Sequence, residues 1–176
     1  MQWPPDYLEE FTRRASMLQK ANTPKARGAL LVHYKHNPVD FINDWCVTYD
    51  PRKKSPDPKL MPFKLFPRQE DFVYFLQDCL DEGEGGLVEK ARDIGASWIC
   101  CAFSVWLWTF HDGVTIGWGS RKEEYVDKKG DPKAIFPKIR QIIDNLPVWI
   151  KPQGYSEQVH GTYMKIVNPV TSSVIT

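Results

Sequence analysis

The stretch from Gly86 to Phe110, GLVEKARDIGASWICCAFSVWLWTF, constrains this chain most. Leu87 and Val88 form a short apolar run entered through a glycine pair, which predicts a strand. Lys90 to Ser97 is a loop of mostly small residues. From Trp98 onward the apolar residues Ile99, Phe103 and Leu107 recur at helical spacing, with Trp106 and Phe110 beside them, which predicts a buried helix. A loop between a strand and a helix start presents unpaired backbone N–H groups. Combined with the positive end of the helix dipole, they make a phosphate-binding site.

The loop fits the pattern G-x-x-x-x-G-K-[ST] only in part. Gly95 takes the second glycine position and Ser97 the hydroxyl position, where Mg²⁺ would be held. Ala96 stands where the lysine is usual, and Lys90 stands where the first glycine is usual. The pattern is met if Lys90 folds back to the phosphates, which its long flexible stem permits. Arg92 adds a second cation. The plain alternative is a strand-to-helix turn with Ser97 as its N-cap.

The rest of the chain reads as α/β. Asp6 to about Ala21 is a helical pattern after Pro4-Pro5, with Leu8, Phe11, Ala15 and Leu18 as its apolar stripe and Arg13, Arg14 and Lys20 on a solvated, partly basic face. Further helices are expected over Lys25 to about Tyr34 and Val39 to about Trp45. Asp50 to Pro62, DPRKKSPDPKLMP, is aperiodic and rich in proline and lysine; it predicts an exposed linker and a boundary near residue 60. A helix then starts near Gln69 and carries Phe72, Tyr74, Phe75, Leu76 and Leu80. Val114 to Trp118 predicts a second core strand. Ser120 with Glu123 reads as a capping box. An amphipathic helix follows from about Ala134 to Leu146, with Pro137 tolerable only in its first turn. Tyr163 to Val167 and Ser173 to Thr176 predict a strand and its return.

A net charge of +1 gives no global bias toward nucleic acid, so any DNA contact would need a local patch. No apolar run approaches the roughly 20 residues of a membrane span, and the start of the chain lacks a signal peptide's apolar core. Cys46, Cys79, Cys100 and Cys101 contain no C-x-x-C, which fits a reducing cytoplasm; the adjacent pair reads as small buried apolar residues. His33 and His36 have no zinc-spaced partners and read as surface histidines.

The segment K-A-R-D-I-G-A-S resembles the deviant Walker A loop of the large terminase subunits of tailed bacteriophages, several of which carry the lysine at the front of the loop. Upstream, Phe66-Pro67-Arg68-Gln69 resembles their adenine-binding glutamine motif. Downstream, Gly119-Ser120-Arg121-Lys122-Glu123-Glu124 resembles the segment after their second strand. Phe41-Ile42-Asn43-Asp44-Trp45 through Asp50-Pro51-Arg52 looks like their opening region. The order and spacing of these motifs carry the likeness.

The resemblance implies a P-loop NTPase core of the RecA-like (ASCE) type over residues 61–176, preceded by a small helical subdomain with a basic linker over residues 1–60. It implies ATP and Mg²⁺ as ligands. Gln69 would hold adenine, and the backbone of Ala91, Arg92, Asp93, Ile94, Gly95 and Ala96 would cradle the phosphates. Lys90 would neutralise phosphate charge, Ser97 would ligate Mg²⁺, and Arg92 would stabilise developing charge. The implied partners are double-stranded DNA, a small terminase subunit, a portal protein and further copies in a ring, in the host cell cytoplasm and without membrane.

Phosphoryl transfer also needs a carboxylate at the end of an apolar strand. The only Asp-Glu pair, Asp81-Glu82, precedes the loop, in the wrong order for a Walker B strand. The resemblance places Walker B and a nuclease domain further along than Thr176, so the stretch in hand is expected to be inactive by itself. Two other functions suit the residues. A helicase-like ATPase would share the glutamine motif and the loop, and a scaffold domain would carry a degenerate loop that binds no nucleotide.

Overall fold

Capping residues set the first helices. Asp6 accepts the N–H groups of Leu8 and Glu9 at 2.9 and 3.2 Å and opens α1, Tyr7–Lys20. Thr23 accepts the Ala26 N–H at 3.1 Å and, with Pro24 in the first turn, opens α2, Pro24–His36. Pro38 does the same for α3, Pro38–Trp45. The computed structural model describes residues 6–56 and 58–176, so Pro4-Pro5 lies outside the described residues.

The stripe expected on α1 is inverted. Leu8, Phe11 and Leu18 are exposed, while Glu10 is buried and Arg13 and Arg14 face inward. Arg14 donates to the carbonyls of Asn43 and Cys46 at 2.7 and 2.8 Å, and Arg13 pairs with Asp44 at 2.8 Å. Those carbonyls close the C-terminus of α3, where orphan acceptors and the negative helix end favour guanidinium groups. Arg13 and Arg14 thus form an internal staple rather than a solvated surface, while Lys20 is exposed as expected. Burial raises the Glu10 carboxyl, but its hydrogen bond to Arg13 and the charges of Arg13, Lys64 and Arg14 outweigh that and hold it below its usual range.

The expected linker folds locally. β1, Val47–Tyr49, pairs antiparallel with β2, Leu60–Pro62, and the described residues between them, 50–56 and 58–59, belong to the loop of that hairpin. Then come α4, Pro67–Glu82, and α5, Ala96–Phe110. Residues 85–91 between them carry no strand, contrary to the expectation for Leu87 and Val88. Gly86 passes so close to α4 that a Cβ there would meet the Phe75 ring at 2.5 Å and the Cys79 sulfur at 2.8 Å. Beyond it the chain runs into solvent, and two apolar residues alone do not bury enough surface to hold a strand.

α5 is apolar all round, as a core helix is. It packs on α2, α3 and α4 and on α7, Ile135–Asn145. The Trp106 indole donates to the Tyr34 carbonyl at 2.7 Å, and Phe41 meets Phe110 edge to face. Phe136, Ile139, Ile142 and Ile143 of α7 are fully buried in the same cluster, and Pro137 sits in the tolerated first turn. Cys101 is buried and its thiol is pushed up to about 12 by that burial; Cys100 is half-buried. His33 pairs with Asp40 at 2.8 Å.

After α5 come β3, Thr115–Ile116, and α6, Glu123–Val126. Ser120 does not cap α6: Lys122 holds the N-cap position and no side chain caps it. Past α7 lie α8, Glu157–His160, and the strands β4 (Gly161–Thr162), β5 (Lys165–Val167) and β6 (Val174–Ile175). The sheet order is β3-β6-β5-β4, with β3 parallel to β6 and the other pairs antiparallel. Asn168 ties the β5–β6 turn to α5 by donating to the Trp108 carbonyl at 2.7 Å. The chain is therefore mixed α/β, with far more helix than strand and with small sheets.

Candidate functional site

The site starts from Asn43. Its carboxamide oxygen accepts the Leu65 N–H at 2.7 Å, and its nitrogen donates to Glu70 at 3.2 Å. That fixes the entry to α4. Pro67 occupies the first turn, and Gln69 reaches back so that its Oε1 accepts the Phe66 N–H at 3.2 Å. This is the glutamine half of a capping box, since Phe66 has no side-chain acceptor. The other end of the carboxamide, Nε2, donates to the Ile94 carbonyl at 2.9 Å. Gln69 is buried. One side chain thus clamps the start of α4 to the loop that enters α5.

The loop turns tightly at that clamp. Asp93 and Gly95 have φ of 63° and 81°, the left-handed region. Aspartate tolerates it, and glycine adopts it without steric cost. A Cβ at Gly95 would also meet Gln69 Nε2 at 2.9 Å. Gly95, not Ser97, is the N-cap of α5, and its carbonyl accepts from Trp98 and Ile99 at 2.9 and 3.1 Å. No side chain caps this end. The Ala96 and Ser97 N–H groups, in the first turn, have no acceptor among the described residues. The Ser97 side chain is exposed.

These residues border an open groove of about 970 Å³. Gln69, Lys90, Asp93, Ile94, Gly95, Ala96 and Ser97 all line it. Ala91 and Arg92 do not; both are exposed. The hairpin contributes Tyr49 and Arg52, and Arg52 is held by Asp50 at 2.9 Å and feels the charge of Asp93. From the far wall come Trp98, Lys133 and Lys138.

Charge decides what the groove suits. Arg52, Lys64, Lys90, Lys133 and Lys138 line it against two carboxylates, Asp50 and Asp93. A second cleft of about 1050 Å³ lies between α6, α7 and β4, but there Lys122, Lys128, Lys129 and Arg140 face Glu123, Glu124, Asp127 and Glu157 in equal number. Its centre is a structural pair: Arg140 grips Asp127 through two bonds of 2.7 Å, and Asp127 also accepts the Met164 N–H at 2.9 Å. Burial raises the Asp127 carboxyl, but those bonds prevail and hold it low. The groove at α5 carries the unbalanced positive field, so it is the better anion site.

A magnesium ion fits this donor set only together with a phosphate ligand. Among the described residues no group of three His, Cys, Asp or Glu side chains could hold a metal, and the Ser97 hydroxyl alone is too few oxygens. Sequence reasoning missed Lys133 and Lys138, which lie far along the chain from the loop and carry no motif. Compared with known protein families and with curated proteins, the sequence finds no match, so the reading of this site stands on the groove's own chemistry.

Proposed function

We propose that the groove at the start of α5 binds ATP with Mg²⁺, and that the chain is the ATP-binding portion of a DNA-packaging motor of the terminase large-subunit kind, built on a P-loop core. One observation carries this reading: Gln69 Nε2 donates to the Ile94 carbonyl, which sets the glutamine motif and the K-A-R-D-I-G-A-S loop on one positively charged groove. That bond joins residues of two motifs 25 positions apart, which supports the reading. The free N–H groups of Ala96 and Ser97 would take phosphate oxygens, and Lys90 would neutralise their charge. Ser97 would join the phosphates in holding Mg²⁺. Gln69 would face adenine from the clamp. Hydrolysis would drive double-stranded DNA through a portal into a procapsid, with a small terminase subunit and a ring of copies in the host cytoplasm. Arg92 would act there only after the loop turns, because its side chain lies outside the groove.

The test is a titration of a non-hydrolysable ATP analogue with Mg²⁺, read by calorimetry. Saturable binding is expected, weakened about ten- to a hundredfold by Lys90→Ala, the scale of one charge-assisted contact. Wild-type protein that fails to bind at millimolar analogue refutes the reading. A scaffold with a degenerate loop is then favoured, and one feature already suits it: residues 87–88 form no strand to anchor the loop.

A further inference from the structure

We infer that Lys138, carried by α7, is a fixed phosphate-contacting cation of this groove, standing in for the lysine that Ala96 replaces. The inference rests on the nucleotide reading above and adds a residue that no motif contains.

Three observations converge on it. First, Lys138 lines the groove together with Gly95, Ala96 and Ser97, although it lies more than 40 positions further along the chain. Its ammonium stands 6.0 Å from the centre of the Trp98 ring, in the first turn of α5. Second, the ammonium is half-enclosed and, among the described residues, has no counter-ion. It donates to the carbonyls of Lys133 and Ala134, and among the described residues no carboxylate lies within ion-pair distance of it. Of its three donors, two are used and one is left over. Partial burial pulls its pKa down, while the Cys101 sulfur and, after it, Asp131 act the other way without forming an ion pair. A desolvated cation without an anion is costly, and a phosphate in the groove would remove that cost. Third, its backbone is anchored. Phe136 and Ile139 near it in α7 are fully buried against the core, so the lysine leaves a fixed helix, with its ammonium near the Trp98 ring of α5. Lys90, by contrast, is exposed on an irregular loop.

The two cations therefore have different tasks. Lys138 and the first-turn N–H groups of α5 form a preorganised anion cradle, which costs little ordering entropy on binding. Lys90 must be recruited from solvent. The ligand class that fits is a polyphosphate, with the phosphates lying between α5 and α7.

The experiment titrates inorganic triphosphate, and separately the Mg²⁺–ATP analogue, into the intact chain and into Lys138→Met, Lys138→Arg and Lys90→Ala. Methionine keeps an apolar, unbranched stem beside Trp98, so circular dichroism and thermal midpoint should stay near wild type. About tenfold or greater loss of triphosphate affinity is expected in Lys138→Met, with partial recovery in Lys138→Arg. If Lys138→Met binds triphosphate as wild type does while Lys90→Ala does not, the assignment of Lys138 is wrong and the nucleotide reading survives. If wild type binds neither ligand, both fall together.

Discussion

Along α5, Ala96, Ile99 and every residue from Cys101 to Leu107 are buried, as is Trp108. Across residues 84–94, which feed directly into it, every side chain is exposed. The two regions adjoin and share a glycine, yet different forces shape them. The helix body is held by area: its tryptophans and aliphatic residues meet α2, α3, α4 and α7, and burying a large apolar side chain is worth about 1.5–3 kcal/mol. The loop is held by points, namely the Gln69 clamp at Ile94, the left-handed turn at Gly95 and the close pass of Gly86 over Phe75. A segment held at points opens at less cost than one held by buried area.

The largest effect should come from the helix body. Trp106→Ala removes a fully enclosed indole and its 2.7 Å bond to the Tyr34 carbonyl. Loss of about 3–5 kcal/mol is expected from the lost burial and the cavity together, read as a shifted urea midpoint. A loss below about 1 kcal/mol would mean that α5 is not the centre of the core and would collapse the contrast with its loop.

How much of this was legible follows the same division. The helices α2, α3, α4 and α7 fall within a few residues of where proline, threonine and apolar spacing put them, because those signals act locally. The β5–β6 return was legible for the same reason: Asn168-Pro169 marks its turn. The inner face of α1 was not. Apolar spacing selects Leu8, Phe11 and Leu18, but Arg13 and Arg14 find the carbonyls closing α3 some 30 positions away, and no local pattern announces that partner. The strand at Leu87 failed because β-propensity without a partner is not a strand. Of the residues that line the candidate site, Lys90, Gly95, Ala96 and Ser97 were placed by the loop pattern, whereas Gln69, Asp93 and Ile94 were named only through the resemblance of their motifs. Lys138 was invisible, since its role depends on α7 packing beside α5.

At the junction of the two regions the expected effect is intermediate. Gly95→Ala places a Cβ on a residue with φ of 81°, 2.9 Å from Gln69 Nε2. The left-handed conformation alone costs an alanine about 1–2 kcal/mol. The Ile94–Gln69 bond should also loosen. We expect a stability loss of that size, together with faster amide exchange at residues 94–97 and unchanged exchange in the middle of α5. If exchange rises along the whole helix, the loop and the body form one cooperative unit, and the distinction drawn between them is wrong.

The smallest effect belongs to the loop itself. Leu87 is 95% exposed, so Leu87→Ser removes almost no buried area. Surface substitutions of this kind change stability by less than about 0.5 kcal/mol, and the urea midpoint should hardly move. The measurement is worth making because the alternative is specific. A strand at Leu87–Val88 buried in a sheet would lose well over 1 kcal/mol on the same change, since a serine hydroxyl would replace packed methyl groups. The outer edge of β3 is unpaired among the described residues and could receive such a strand. A large loss would therefore mean that the loop is held by area as the helix is, with Lys90 carried on a sheet-anchored turn rather than drawn from solvent. A negligible loss leaves Lys90 on an exposed loop without a sheet to anchor it, so that Lys138, beside Trp98 in the first turn of α5, is the better anchored of the two lysines.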